Sequence, residues 1–430
     1  MIFTDVLIVG AGPAGTAAAI ELARAGRDVT IIDKARFPRD KCCGDGLTTE
    51  ALRILQGLGV TPDAVDNWNA VTDIVIRNPR GRQVRLPLPD TGQYAAVVPR
   101  FDLDHRLVQL ARTSGVAVHE GVAFETIQRD DSSHGHSATS DVQAANVVVT
   151  KTSEGLITSR YVIAADGMWS PVRKDVGLAP DGYRGEWHAF RQYFSGVGPQ
   201  AQHLVVWFEE DLLPGYAWSF PLPGQRANVG FGITRRGRHH VGDMKAIWED
   251  LLTRPHVRAV LGDDAVAEDR HKAWPIPARV DGLPKTSGRV LFVGDAVGAT
   301  DPMTGEGIAQ ALLSGQLAAD AIDHGGASRP CITATRYERL VERSLVADHL
   351  LARRLARLLE TNIGARAAIR AADLTPWTRR NFARWMFEDY PRAIAFTPQR
   401  WHRGMFSGLG AFESAGEIAE LSDDHLTNIN

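Results

Sequence analysis

Hydrophobic positions follow two rhythms along this chain. Val6-Leu7-Ile8-Val9 is an unbroken apolar run, which predicts a strand buried on both faces. It breaks at Gly10-Ala11-Gly12-Pro13-Ala14-Gly15 and gives way to an alanine-rich stretch, Thr16 to Ala25, that predicts a helix ending at Gly26. Asp28 to Ile32 predicts a second strand, closing on Asp33. The form returns twice. A strand over Ser159 to Ala165 ends in Asp166-Gly167, and one over Arg289 to Val293 ends in Gly294-Asp295. After the latter come a loop, Asp301-Pro302-Met303-Thr304-Gly305-Glu306-Gly307, and a predicted helix from Ile308 to Ala321. Residues 71–97 and 181–284 instead alternate apolar and polar, as in Leu204 to Phe208 and Ala227 to Ile233, which predicts antiparallel strands.

The expected fold class is α/β. Residues 1–70, 98–180 and 285–330 form a discontinuous Rossmann-like domain of βα units around a parallel sheet. Residues 71–97 and 181–284 form an inserted antiparallel sheet that covers the site as a substrate domain, and residues 331–430 form a C-terminal helical region.

The first glycine turn has a chemical reading. Gly10 permits a tight turn, Gly12 lets backbone amides approach a pyrophosphate, and Gly15 lets the helix pack on the strand. The helix N-terminus then turns its unpaired N–H groups toward the anion. Asp33, eighteen positions beyond Gly15, is placed to accept hydrogen bonds from ribose hydroxyls. This fingerprint does not separate FAD from NAD. The two later strands do: a strand ending in aspartate beside glycine-rich backbone sets a carboxylate on a polyol and amides beside an electron-accepting ring, which suits a ribityl chain and a flavin.

Together the Gly-x-Gly-x-x-Gly turn, Asp166-Gly167 and Gly294-Asp295 resemble the three FAD motifs of the para-hydroxybenzoate hydroxylase-type flavoproteins, a glutathione reductase-like fold, over residues 1–325. Two further stretches resemble the geranylgeranyl reductase family. One is Pro38-Arg39-Asp40-Lys41-Cys42-Cys43-Gly44-Asp45-Gly46, similar to that family's Pro-x-x-Lys-x-Cys-Gly segment. The other is Pro214-Gly215-Tyr216-Ala217-Trp218-Ser219-Phe220-Pro221 with Asn228-Val229-Gly230-Phe231-Gly232 downstream, similar to its Tyr-x-Trp-x-Phe-Pro signature, one residue short of the longest form between proline and tyrosine.

The resemblance implies FAD as cofactor and saturation of carbon–carbon double bonds in an isoprenoid chain. Beside Gly10, Gly12 and Gly15 it places Pro13, Ala14, Asp33 and Lys34 on the cofactor. From the cysteine segment it adds Cys43, Gly44, Asp45 and Gly46. Arg100, opening a helix over Leu103 to Arg112, is similar to an FAD-contacting arginine, with a helix cap by Asp102 as the alternative reading; Ala123 lines the adenine end. Asp166, Gly167, Gly294 and Asp295 follow, and from the last loop Pro302, Gly305, Gly307 and Ile308. Tyr216, Trp218 and Phe220 share one face of a strand, toward the cavity or as an ordinary aromatic core stripe. With Cys43, near the isoalloxazine by resemblance, they are the candidate catalytic residues; an inert buried thiol is the alternative for Cys43. Lys41 and Asp45 shape the same loop. The competing function is an FAD-dependent monooxygenase, oxidase or halogenase-like enzyme on an aromatic or other hydrophobic small molecule. Halogenases keep Trp-x-Trp-x-Ile-Pro and a lysine; here tyrosine and phenylalanine replace two of those positions and no lysine lies between Lys41 and Lys151.

Composition narrows the partners. The 430 residues are 44% hydrophobic and 23% charged with a net charge of −3, as in a globular protein of two to three domains without a field for nucleic acid. The three cysteines, Cys42, Cys43 and Cys331, build no disulfide framework, which fits a reducing, cytoplasmic compartment. No positive residue precedes the first apolar run, as a signal peptide requires, and no apolar stretch is long enough to span a bilayer. His134 and His136, in the polar tract Asp130 to Asp141, lack further ligands, so no metal is expected. No second glycine fingerprint follows a strand; the electron donor is left open among NAD(P)H, a ferredoxin and a flavin reductase. The charge is uneven, however. Residues 335–405 hold fourteen arginines against seven acids. Val341, Leu345, Ala352, Leu355 and Leu359 fall on one helical stripe, with Arg339, Arg343, Arg354 and Arg357 roughly opposite. A solvated arginine face is the simpler reading; peripheral contact with the inner face of the membrane is the second, since a water-insoluble prenylated substrate would give Trp377, Trp385, Met386, Phe387 and Trp401 a purpose.

Overall fold

The computed structural model of the chain describes residues 2–128, 147–326, 329–401 and 408–413; the tract with His134 and His136 lies outside them. Five parallel strands form the heart of the first sheet, in the order Val290–Phe292, Gly155–Ala164, Ile2–Val9, Val29–Asp33, Ala117–Glu120. Val6, Leu7, Ile8, Ile31, Val162, Ile163 and Leu291 are fully buried, as expected of strands covered on both faces. Each such side chain stabilises the fold by about 1.5–3 kcal/mol through removal from water. Phe124–Gln128 and Val148–Thr152 extend the sheet antiparallel from the first half of Gly155–Ala164. The helices Pro13–Arg24 and Ile308–Gly325 cross over the sheet closely enough that a Cβ on Gly315 would stand 2.2 Å from the Ala14 carbonyl oxygen.

The second sheet runs Val266–Ala267, Trp187–Ser195, Arg226–Thr234, Tyr216–Leu222, Leu204–Trp207, Asp73–Arg77, Gln83–Pro87, with Lys272–Ile276 also paired to Trp187–Ser195. One of its pairings, Leu204–Trp207 with Asp73–Arg77, is parallel, against the all-antiparallel expectation. Residues 181–284 also contain two helices, Met244–Thr253 and Pro255–Leu261, that the alternating pattern did not predict. Met244, Ile247, Trp248 and Leu251 recur at helical spacing and pack on Phe190, Phe194 and Phe231 on one face of the sheet. The opposite face carries Trp218, Phe220 and Leu222. A small sheet of Gly46–Thr48, Ala95–Val97 and Asn69–Ala70 joins the two.

The C-terminal helices are Pro330–Val341, Ala347–Leu359, Asn362–Ala372 and Pro376–Met386. Val341, Leu345 and Ala352 are buried, but Leu355 and Leu359 are only half-buried. A wider turn over Glu342–Val346 shifts the phase of the stripe between Val341 and Ala352. Arg339, Arg343, Arg354 and Arg357 are exposed. Among the described residues no helix is long and apolar enough to cross a membrane.

Candidate active site

Because Ile2–Val9, Val29–Asp33, Gly155–Ala164 and Val290–Phe292 are parallel neighbours, their C-terminal ends meet at one sheet edge. Gly10, Asp33, Asp166, Gly167, Gly294 and Asp295 thereby line a single cavity of about 720 Å3. That edge is where open parallel sheets take ligands.

The glycines of the first turn are constrained differently. At Gly10 φ is +108° and a Cβ would lie 2.3 Å from the Ala165 carbonyl oxygen. At Gly15 a Cβ would lie 2.0 Å from the Gly10 carbonyl oxygen, so only glycine lets the helix start against its strand. At Gly12 a Cβ would meet nothing nearer than the guanidinium ends of Arg39 and Arg100, at 3.8 and 3.9 Å. The space above Gly12 belongs to the cavity. The helix begins there with no side-chain cap and no acid in its first turn, so its leading N–H groups face the opening unpaired. Arg100 grips Asp104 through two bonds of 2.7 Å, and Arg39 shares the same carboxylate at 3.1 Å. Two cations on one anion leave a net positive charge beside the helix end, fit for a diphosphate. Asp33 accepts from the Ala11 and Ala35 N–H groups, each at 2.8 Å, and keeps a lone pair on each oxygen for hydroxyl donors. Pro13, Ala14, Lys34 and Ala123 complete this wall. On the neighbouring strand end Asp166 accepts from the Val172 N–H at 2.9 Å; burial pushes its carboxyl up to about 6 against the hydrogen bonds that favour the ion.

The opposite wall is apolar. Tyr216, Trp218 and Phe220 all face the cavity, joined by Trp187 and Trp274. Trp218 lies across Gly230 of the paired strand, where a Cβ would stand 2.4 Å from its ring. Its indole N–H donates to Asn228 Oδ1 at 3.1 Å, and Asn228 Nδ2 donates to the Cys43 carbonyl at 2.9 Å and to Asp45 Oδ2 at 2.7 Å. The Tyr216 hydroxyl donates to the Thr304 carbonyl. The aromatic strand, the cysteine loop and the Asp301–Gly307 loop are therefore one bonded unit. Cys43 and Gly44 lie on the cavity wall, as do Gly305, Gly307 and Ile308. Burial, reinforced by Asp45, pushes the Cys43 thiol up to about 12, and Cys42 rises to about 11, so both are neutral thiols near pH 7. Lys41 Nζ stands 4.0 Å over the Trp274 ring and 4.0 Å from Asp295 Oδ2, and burial lowers its pKa.

Four of the residues expected on the cofactor are not on the cavity wall. Gly15 is covered by its own turn. Asp45 is fully buried and points away, with one oxygen taken by Tyr193 Oη at 2.6 Å and Asn228, and the other by the Arg100 N–H at 3.2 Å. Gly46 is paired to Val97 in the small sheet, and Pro302 is buried with its carbonyl accepting from Trp187 Nε1 at 3.0 Å. These residues support the wall from behind. The capping alternative for Asp102 is not realised: Pro99 holds the N-cap position and Asp102 accepts from Asn67 Nδ2 at 2.9 Å. Conversely, Arg39, Asp40, Trp187, Lys272, Trp274 and Glu306 line the cavity without having been assigned a place there. The apolar residues of Lys272-Ala273-Trp274-Pro275-Ile276 were the available signal for one of these walls.

A dinucleotide cradle at the sheet edge, facing an aromatic wall, defines a flavoprotein oxidoreductase. The chain belongs to the FAD binding domain family, whose sequence profile matches residues 3–314. It is similar to the menaquinone reductase of Mycobacterium tuberculosis, 32% identical over 390 residues, 83% of this chain and 84% of that protein. It is also similar to digeranylgeranylglycerophospholipid reductase 1 of Methanopyrus kandleri, 31% identical over 328 residues, 74% of this chain and 79% of that one. The crystal structure of a geranylgeranyl bacteriochlorophyll reductase-like protein from Thermoplasma acidophilum shares the fold with a TM-score of 0.74 over 93% of this chain and all of that one, at 22% identity. The protein is an FAD-dependent oxidoreductase, and the open space above Gly12, the positive helix end and the free lone pairs of Asp33 fit that cofactor.

Proposed function

We propose that this protein reduces carbon–carbon double bonds in the prenyl chain of a lipid. The observation that carries the reading is that the aromatic wall of Tyr216, Trp218 and Phe220 lines the same cavity as the dinucleotide cradle. Bound FAD supplies two-electron redox chemistry. The chain's own residues hold the prenyl group against the aromatic faces and keep water out; burial alone favours binding by about 25 cal/mol per Å2 of apolar surface. The names of the two relatives, which both denote prenyl-bearing lipids, support the same class.

The test is anaerobic. Purified protein, reduced chemically, is given prenyl diphosphates, prenylquinones or prenylated glycerophospholipids in separate reactions, and products are weighed by mass spectrometry. A gain of two hydrogens per bond is expected. Products formed only with oxygen or halide present would instead make it an oxygenating or halogenating enzyme. Repeating the reaction with NADPH, NADH, reduced ferredoxin or a flavin reductase in place of the chemical reductant assigns the donor.

A lipid substrate has to be drawn from a membrane, and the C-terminal helices support contact with an anionic one. Ile363, Leu374 and Trp377 are more than 70% exposed, and Arg357, Arg370 and Arg380 stand exposed on Ala347–Leu359, Asn362–Ala372 and Pro376–Met386 respectively. The helix Pro376–Met386, which carries Trp377, packs through Phe382 and Ala383 on the cluster containing Trp218 and Phe220, so this surface adjoins the aromatic wall. Exposed aromatics flanked by arginines insert at the interface and pair with lipid phosphates, each cation contributing about 1 kcal/mol. Leu374→Ala with Trp377→Ala is expected to weaken cosedimentation with phosphatidylglycerol vesicles about ten-fold, and wild-type binding should fall with added salt. Absence of wild-type binding to those vesicles would sink this part of the proposal.

A further inference from the structure

Saturating a double bond requires a proton as well as electrons, and the acids on the cavity wall are not equivalent. Asp33 is engaged by backbone N–H groups, Asp40 is paired with Arg191 and Lys272, Asp295 faces Lys41, and Asp166 accepts from the Val172 N–H. Among the described residues Glu306 has no ion pair and no side-chain hydrogen bond, and it lines the aromatic end of the cavity. A Cβ placed on Gly46 would lie 3.5 Å from Glu306 Oε1 and 3.3 Å from the Phe220 ring, so carboxyl and ring sit side by side above the cysteine loop.

The loop under Glu306 is fixed. Asp301 Oδ1 accepts the Met303 and Thr304 N–H groups at 2.9 and 2.8 Å, the Asp301 N–H donates to the Glu306 carbonyl at 2.9 Å, and Arg392 Nε holds Asp301 Oδ2 at 2.9 Å. Behind it lie more acids than cations. Arg392 is shared between Asp301 at 2.9 Å and Glu388 at 3.4 Å, and Arg400 is engaged with Asp348 at 2.9 Å, while Glu50 lines the same small cavity as Glu388, and Glu306 lies within electrostatic reach of Glu388. Five acids, Asp301, Asp348, Glu50, Glu388 and Glu306, thus share two cations, which is unfavourable unless some of the glutamates are protonated. Glu306 is accordingly pushed up to about 8, by burial first and then by Glu388 and Asp301, with Asp45 adding and Arg392 opposing. Cys43 and Tyr216, which face it, are held neutral.

We propose that Glu306 is the proton donor of the reduction. Resting on the prenyl-reductase reading, the step is balanced as follows: the electron pair and one hydrogen come from the reduced cofactor to one alkene carbon, and the Glu306 carboxyl gives its proton to the other. The π bond is broken, two C–H bonds form, and Glu306 is left as a carboxylate that recovers its proton before the next turnover. An acid titrating near the working pH suits this role far better than a thiol held near 12.

Three readouts test it. In infrared spectra of the oxidised holoenzyme, wild type minus Glu306→Gln should show the carbonyl stretch of a protonated carboxylic acid, disappearing as pH rises through about 8. In anaerobic single turnover, with protein reduced beforehand and flavin absorbance followed after adding the prenyl substrate, Glu306→Gln should be slowed about 100-fold or more, with Glu306→Asp between it and wild type. The wild-type rate should fall as pH rises through about 8, a limb that Glu306→Gln lacks. A Glu306→Gln rate within three-fold of wild type, or a retained limb, overturns the assignment. A wild type that no prenyl compound reoxidises overturns the prenyl-reductase reading itself, a separate result. If Glu306→Gln does not hold FAD, the wild-type rate limb and the pH difference spectrum of the wild-type holoenzyme alone decide: loss of a protonated-carboxyl stretch coincident with the limb near pH 8 supports the proposal, and absence of either overturns it.

Discussion

Gly15→Val is expected to yield a colourless, destabilised protein. A Cβ at that position would stand 2.0 Å from the Gly10 carbonyl oxygen and 3.1 Å from both the Gly10 carbonyl carbon and Ala165 Cβ. Two of the three obstructions are backbone, so no rotamer relieves them, and the helix Pro13–Arg24 must lift from the strand Ile2–Val9. The cost is about 3 kcal/mol, at the upper end for overpacking. Lifting the helix also moves its N–H groups away from the diphosphate position above Gly12, so flavin affinity should fall by more than 100-fold, as measured by quenching of flavin fluorescence. Gly57→Ala is the control: it sits on an exposed helix position with nothing within 4 Å of the added Cβ, and should gain up to about 1 kcal/mol. A yellow Gly15→Val protein with wild-type affinity would refute the cradle.

The parallel core was legible because its strands are continuous apolar runs that end in an acid beside glycine, and this pairing survives any uncertainty of a residue or two at the ends. Ser159 to Ala165 and Arg289 to Val293 were placed from that signal alone, although the strands run Gly155–Ala164 and Val290–Phe292. The helices at Met244–Thr253 and Pro255–Leu261 were missed because the surrounding segment alternates so clearly that a short helical stretch within it carried little weight. The cavity wall was half legible. Tyr216, Trp218 and Phe220 lie on one side because a strand alternates, but the partner that fixes Trp218 is Asn228 across the hairpin, and nothing local says that Asn228 also reaches the Cys43 carbonyl and Asp45. Asp45 therefore looked like a ligand residue when its carboxylate is in fact turned inward. Arg39 and Trp274 reach the wall from segments whose proximity only the tertiary fold creates. Glu306 was within the marked loop, and the sign of its role was chemical: an acid between two glycines ahead of a helix, where no cation lies nearby in sequence.

Arg392→Met should expose how much of that site depends on one cation. Arg392 is 4% exposed and holds Asp301 at 2.9 Å and Glu388 at 3.4 Å, tying the C-terminal segment to the Asp301–Gly307 loop. Methionine fills a similar volume but leaves both acids buried without their cation, which costs about 3–5 kcal/mol when a buried pair is broken from one side. The pH dependence separates charge from packing. Burial already raises the Glu388 carboxyl above its ordinary value and Arg392 opposes the rise, so removing Arg392 raises it further. A glutamate whose folded pKa is raised contributes stability that is fully present below its unfolded value, about 4.3, and lost as pH climbs through the folded one. The deficit of Arg392→Met relative to wild type should therefore be smaller at pH 5.5 than at pH 8 in urea unfolding, with unchanged m-values. An equal loss at both pH values would mean that the side chain acts by packing alone, and that the acids behind Glu306 are not what keeps its proton in place.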